Sequence, residues 1–291
     1  MTEKRTPGGW RSVDAEARFR AMEDELWAEQ WPVPPQALDV DTQYGRTRLY
    51  RWPGEGTPLV FLHGMGATSL AHTPYVKRLA GRACIGIDTI GDVGRSVPTE
   101  PPEDADALAV WLDETLAAAG IDGVHLVGTS YGGYLALNLA VRRPERIAAV
   151  TLIEPGGLAD FRLARFLLWG TPMLFGALAP GPVRRRLART RPLLDDPRLM
   201  KMTLLGQRKH PFGLPQFVLF SDDELRSVAV PTDVFIAGRS APFDSRVVAD
   251  RALLIPGATV EVVADAGHEL SWTHVDLVVD RLTLTDRCPP G

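Results

Sequence analysis

Short β-type runs recur along this chain with helical patterns between them, and that alternation restricts its possible folds more than any other feature. The runs are 47–52 (TRLYRW), 58–63 (PLVFLH), 83–88 (ACIGID), 123–128 (GVHLVG), 147–153 (IAAVTLI), 232–238 (TDVFIAG) and 259–264 (TVEVVA). Several are almost wholly apolar, as expected of strands covered by helices on both faces. Over 103–119, Leu108, Trp111, Leu112, Leu116 and Ala119 share one helical face, and 131–143 is helical directly after a strand. The pattern predicts an α/β fold whose central sheet is mostly parallel and flanked by helices.

The alternation is interrupted twice. Residues 12–30 place Phe19, Met22, Leu26 and Trp27 at helical spacing, and Trp31-Pro32-Val33-Pro34-Pro35 stops that helix, so 1–35 is expected to be a helical extension. The helical, proline- and arginine-bearing stretch 156–230 is expected to be a cap inserted after the sixth strand, over the carboxyl edge of the sheet. Residues 36–155 and 231–291 then form the core. A formal charge of -4 gives no basic footprint for nucleic acid. No apolar run suits a bilayer, and the charged opening MTEKRTPGGW is unlike a secretory signal, so no membrane association and a cytoplasmic location are expected. Cys84 and Cys288 are too few for a disulfide framework, and no Cys/His spacing suggests a metal.

Gly128-Thr129-Ser130-Tyr131-Gly132 matches G-x-S-x-G between the strand VHLVG and the helical YGGYLALNLAVRR. A sharp strand-to-helix turn of this kind projects its serine hydroxyl above the sheet, which makes Ser130 the expected nucleophile. His63-Gly64-Met65-Gly66 follows the strand PLVFL and is similar to the HG-type loops that supply one oxyanion N–H, here that of Met65. The second donor is expected from Tyr131. His63 itself is expected to be scaffold.

A serine hydroxyl needs a base to take its proton. Of six histidines, only His268 lies in a loop right after a late apolar strand, in VEVVADAGHELSW, where the order serine, acid, histidine places the base. His125 lies inside a strand, His274 in a C-terminal helical pattern, and His210 in the cap, where a surface position is expected and a substrate contact is the alternative.

With these motifs in hand, the chain resembles the α/β-hydrolase superfamily, and within it the carboxylesterase NP (naproxen esterase) group. The markers are Asp88-Thr89-Ile90-Gly91-Asp92 with Ser96, HGMG, GTSYGG, SDDELRSVAVP and DAGHELS. The resemblance implies the α/β-hydrolase fold and a serine carboxylic-ester hydrolase without cofactor, acting on a small-molecule substrate. It spans nearly the whole chain and leaves the natural substrate and the oligomeric state open.

One departure concerns the acid. Members of the group carry the triad carboxylate a few residues after the strand matching TDVFIAG, where this chain has Gly238-Arg239-Ser240-Ala241. Asp244 is one replacement, although its place before a helical pattern suits an N-cap. Glu154, at the end of IAAVTLI, is the favoured one, because the haloalkane dehalogenase branch can keep its acid at that strand end. A site without an acid is the third possibility, with residual catalysis from the oxyanion hole and binding.

The cap holds Phe161, Leu163, Phe166, Leu167, Leu168, Trp169, Met173, Leu174 and Phe175, which suggests a hydrophobic substrate pocket. Arg184, Arg185, Arg186, Arg189 and Arg191 form a basic run, read as a solvated helix face or as an anchor for an anionic substrate group. Ester hydrolysis through an acyl-enzyme is the leading expectation. A biosynthetic cyclase, lyase or acyl transferase using the same site and a non-catalytic ligand-binding protein are the alternatives.

Overall fold

A computed structural model of the protein describes residues 9–188 and 196–285. Its single sheet contains β1 (Gln36–Thr42), β2 (Gly45–Trp52), β3 (Glu55–Leu62), β4 (Arg82–Ile87), β5 (Val97–Pro98), β6 (Val124–Thr129), β7 (Ile147–Ile153), β8 (Thr232–Ala237) and β9 (Thr259–Val263). The spatial order is β1-β2-β4-β3-β6-β7-β8-β9, with the two-residue β5 pairing beside β2. From β4 to β9 every pairing is parallel, whereas β1, β2 and β5 pair antiparallel.

The strand β1 has no counterpart among the apolar runs of the sequence. It is an edge strand, and of QALDVDT only Val40 is buried, so it lacks the apolar signature of a two-sided strand. The central β6 and β7 are buried almost throughout, as their apolar text requires.

Helices α1 (Val13–Gln30), α2 (Thr73–Arg78), α3 (Ala105–Ala118) and α4 (Tyr131–Arg142) precede or interleave with the strands. In α1, Ser12 caps the first turn, and Phe19, Leu26 and Trp27 are buried. In α3, Asp104 caps the first turn and the buried face carries Leu108, Trp111, Leu112 and Leu116. Between β7 and β8 the chain forms α5 (Leu163–Leu178), α6 (Gly181–Ala188), α7 (Pro197–Lys209) and α8 (Asp222–Ser227) and, among the described residues, no strand. The remaining helices are α9 (Ser245–Ala252), α10 (Leu270–Thr273) and α11 (Val275–Thr285). No helix among the described residues is long and apolar enough to cross a membrane.

Two apolar clusters sandwich the sheet. One joins α3, α4 and α9 to one face through Trp111, Leu126, Leu139 and Val248. The other joins α1, α2 and α11 to the opposite face through Phe19, Phe61, Tyr75 and Leu282.

Candidate active site

Close backbone packing surrounds Ser130, the residue between β6 and α4. A Cβ built on Gly132 would lie 2.0 Å from the Leu62 carbonyl oxygen, and one on Gly128 would lie 2.3 Å from that of Gly132. Only glycine lets α4 start this close to the ends of β3 and β6. The turn forces Ser130 to φ 54° and ψ -110°, a conformation that costs a non-glycine residue about 1–3 kcal/mol. Its backbone is pinned on both sides, its N–H donating to the Ile153 carbonyl (2.9 Å) and its carbonyl accepting from Gly156 N–H (3.1 Å). The half-buried hydroxyl is left at the carboxyl edge of the sheet.

The HGMG loop runs past this turn, and a Cβ on Gly64 would contact the Ser130 Cβ at 3.5 Å. Buried side chains fix the loop from below. The Asp92 carboxylate accepts from the Gly66 N–H at 3.0 Å and from its neighbour Val93 at 2.7 Å, while burial pushes its pKa up to about 6. His63 Nε2 accepts from Thr89 N–H (3.0 Å), so its proton sits on Nδ1, facing the Gly64 carbonyl (2.9 Å). His63 is thus a buried brace between two loops. The backbone N–H groups of Met65 and Tyr131 have no hydrogen-bond partner among the described residues. The Met65 side chain is exposed, and that of Tyr131 is buried with its hydroxyl donating to Pro215.

Sheet register places Glu154 beside the serine. Thr129 pairs with Ile153 across β6 and β7, so the residues that follow, Ser130 and Glu154, emerge side by side at a strand spacing of about 4.8 Å. Glu154 is the other described non-glycine residue at positive φ (51°), and it is buried. Its carboxylate is fully engaged. Oε1 accepts from Ala237 N–H at 2.7 Å, and Oε2 accepts from the Ser240 hydroxyl at 2.6 Å and from His268 Nδ1 at 3.1 Å. Held by Nδ1, the imidazole keeps Nε2 for another partner, which is the arrangement a general base requires.

Asp244 does something else. It caps α9, accepting from Arg246 and Val247 N–H, and pairs with Arg162, the residue just before α5. Arg162 holds its carboxyl below the usual carboxylate range. Ser240 had no signal in the sequence, since a serine in a loop is unremarkable until a buried carboxylate is known to lie beside it.

Aromatic rings line the imidazole. Phe166 and Trp169 of α5 and Phe243 of the core meet His268 edge-on at 6.0, 5.6 and 6.1 Å between centroids. Phe161 and Phe217 extend this layer toward Tyr131. Trp169 Nε1 also donates to Glu269 Oε1 at 3.1 Å, tying α5 to the residue after His268. Leu163, Leu167 and Leu168 instead face solvent, so the apolar residues of α5 divide between two sides of the helix. Arg189 and Arg191 lie outside the described residues, as do the side chains of Met173, Leu174 and Phe175.

The other histidines stand apart. His125 is buried in β6, its Nε2 2.8 Å from Thr151 Oγ1, and His274 is a half-exposed residue between α10 and α11. His210 corrects the expected surface position. It is buried because Trp10 and Phe212 pack on its ring at 5.2 and 5.9 Å. The described residues contain no cluster of His, Cys, Asp and Glu suited to a metal ion.

The profile of the Alpha/beta hydrolase family matches residues 59–281. The chain is 27% identical over 290 residues to carboxylesterase YbfK of Bacillus subtilis (strain 168), an alignment covering 93% of this chain and 94% of that one. It is 27% identical over 262 residues to 2-hydroxy-6-oxo-6-phenylhexa-2,4-dienoate hydrolase of Burkholderia cepacia, covering 79% and 87%. The crystal structure of naproxen esterase (carboxylesterase NP) from Bacillus subtilis superposes with a TM-score of 0.80 at 25% identity, covering 94% of this chain and 98% of that one. The resemblance drawn from HGMG and GTSYGG therefore holds in sequence and in three dimensions. By the family profile, which runs from β3 to α11, this chain belongs to the alpha/beta hydrolase family.

Proposed function

We propose that this protein is a carboxylesterase-type serine hydrolase with Ser130 as nucleophile, His268 as base and Glu154 as acid. The observation that carries the reading is the 3.1 Å contact between Glu154 Oε2 and His268 Nδ1, made one strand away from a serine held at positive φ. In the proposed reaction the Ser130 hydroxyl attacks the ester carbonyl as His268 Nε2 takes its proton. The oxyanion that forms is bound by the Met65 and Tyr131 N–H groups, aided by the N-terminus of α4. His268 returns the proton to the departing alcohol, leaving an acyl-enzyme. Water, deprotonated by the same imidazole, then attacks the acyl carbon and releases the carboxylic acid.

Glu154 supports this cycle by holding Nδ1 protonated and by offsetting the imidazolium charge. The Ser240 hydroxyl and Ala237 N–H fix the orientation of its carboxylate. The aromatic layer of Phe161, Phe166, Trp169 and Phe243 favours a small hydrophobic substrate under a cap formed by 156–230.

The test is hydrolysis of p-nitrophenyl butyrate together with labelling by a fluorophosphonate. Wild-type protein is expected to show both, and Ser130→Ala neither. Hydrolysis by Ser130→Ala at the wild-type rate would reject the assignment.

A further inference from the structure

On the side of the molecule formed by α1 and α7, a cavity of about 320 Å³ is lined by Arg18, Met22, Lys201, Leu204, Leu205, Arg208 and Lys209. Three apolar side chains make its floor and four cations its rim, and no carboxylate of the described residues lines it. The chain as a whole is acidic at -4, so a local excess of four positive charges is not a reflection of composition.

The pairing of nearby charges sharpens the contrast. On the same two helices Arg20 is paired with Glu16 at 2.5 Å, and Arg198 with Glu29. Arg95, from the loop beside them, is paired with Glu23 at 2.7 Å. Arg18, Lys201, Arg208 and Lys209 have no acidic partner among the described residues. Arg208 and Lys209 lie in the last turn of α7, where its dipole favours a cation. Arg18 and Lys201 sit away from both carboxyl ends and gain nothing from that source.

Cations around an apolar floor match a ligand with an anionic head and a hydrocarbon tail. We propose that this cavity is a second binding site, distinct from the Ser130 site, for an amphiphilic carboxylate. The head is held by Arg18, Lys201, Arg208 and Lys209, and the tail lies on Met22, Leu204 and Leu205. The site adjoins the catalytic loops without containing them. A Cβ on Gly206 would lie 3.1 Å from Val93 and 3.2 Å from Phe19, and one on Gly66 would lie 3.8 Å from Gln207.

The experiment is calorimetric titration of the full-length protein with decanoate, 1-decanol, acetate and inorganic phosphate. Decanoate is expected to bind, and the other three at least tenfold more weakly. The double variant Lys201→Glu/Arg208→Glu, and separately Leu204→Ser, should each weaken decanoate binding at least tenfold. Both should leave kcat/KM for p-nitrophenyl acetate within about twofold of wild type, a check on folding that is independent of the cavity. The proposal is overturned if decanoate fails to bind, if decanol or phosphate binds as tightly, or if decanoate binding is unchanged in the folded variants.

Discussion

Glu154 Oε2 lies 3.1 Å from His268 Nδ1, although the two residues are separated by 114 positions and Glu154 leaves the sheet from β7, one strand before the place where the family resemblance expects a triad acid. The consequence can be measured by comparing two conservative substitutions. Glu154→Gln is expected to lower kcat by about 10²–10⁴ with little change in KM, as when a triad carboxylate becomes an amide. Asp244→Asn should keep kcat within about twofold, while losing the pair with Arg162 and lowering the thermal midpoint. Steady-state kinetics of the two variants decides between the carboxylates, and the reverse ranking would move the acid to Asp244.

Ser240 donates to the same carboxylate oxygen that receives the imidazole, at 2.6 Å. Ser240→Ala removes one of three donors to Glu154 and is expected to reduce kcat about tenfold, near the value of a hydrogen bond to a charged group. Ser240→Thr, which keeps the hydroxyl, should restore the wild-type kcat in steady-state assays.

Gly132→Ala is expected to yield no active protein. Its new methyl would lie 2.0 Å from a backbone oxygen of β3, which cannot rotate away as a side chain would. Gly81→Ala is the control for expression. It tests a positive-φ glycine with open space around it, so only local backbone strain is added. Circular dichroism and ester hydrolysis of both variants provide the comparison.

Glu23 is fully buried in α1, and burial raises its pKa from 4.5 to about 7, with the charge of nearby Asp88 adding to the shift and Arg95 opposing it. The folded state therefore binds this proton more tightly than the unfolded state. The stability it confers is complete below pH 4.5 and is lost as pH rises toward 7, with a slope approaching about 1.4 kcal/mol per pH unit. Relative to wild type, Glu23→Gln is expected to gain stability progressively over that interval, read from denaturant midpoints at several pH values. Parallel midpoints for the two proteins from pH 4.5 to 7 would contradict it.

The features legible in the sequence were those that local pattern encodes. Apolar runs located the central strands because β6 and β7 are buried on both faces, and glycines flanking Ser130 marked a turn that tolerates no Cβ. Strand β1 escaped because an exposed edge strand carries charges and little apolar text. His210 was misplaced because its burial depends on Trp10, which lies 200 positions away in sequence and packs on its ring. The hydroxyl of Ser240 escaped for a similar reason. Its partner is 86 positions distant and is brought near only by the register of β7 on β8.

Placing the proposed triad carboxylate just after β7 changes what the segment 241–244 is free to do. In the proposed site that segment holds no proton-transfer group. Phe243 leans on the imidazole, and Asp244 grips Arg162 where the chain departs into 163–227. It can therefore be altered to admit bulkier or differently shaped esters while the machinery for bond cleavage stays intact, a separation of selectivity from chemistry that an acid housed in the same loop would not permit.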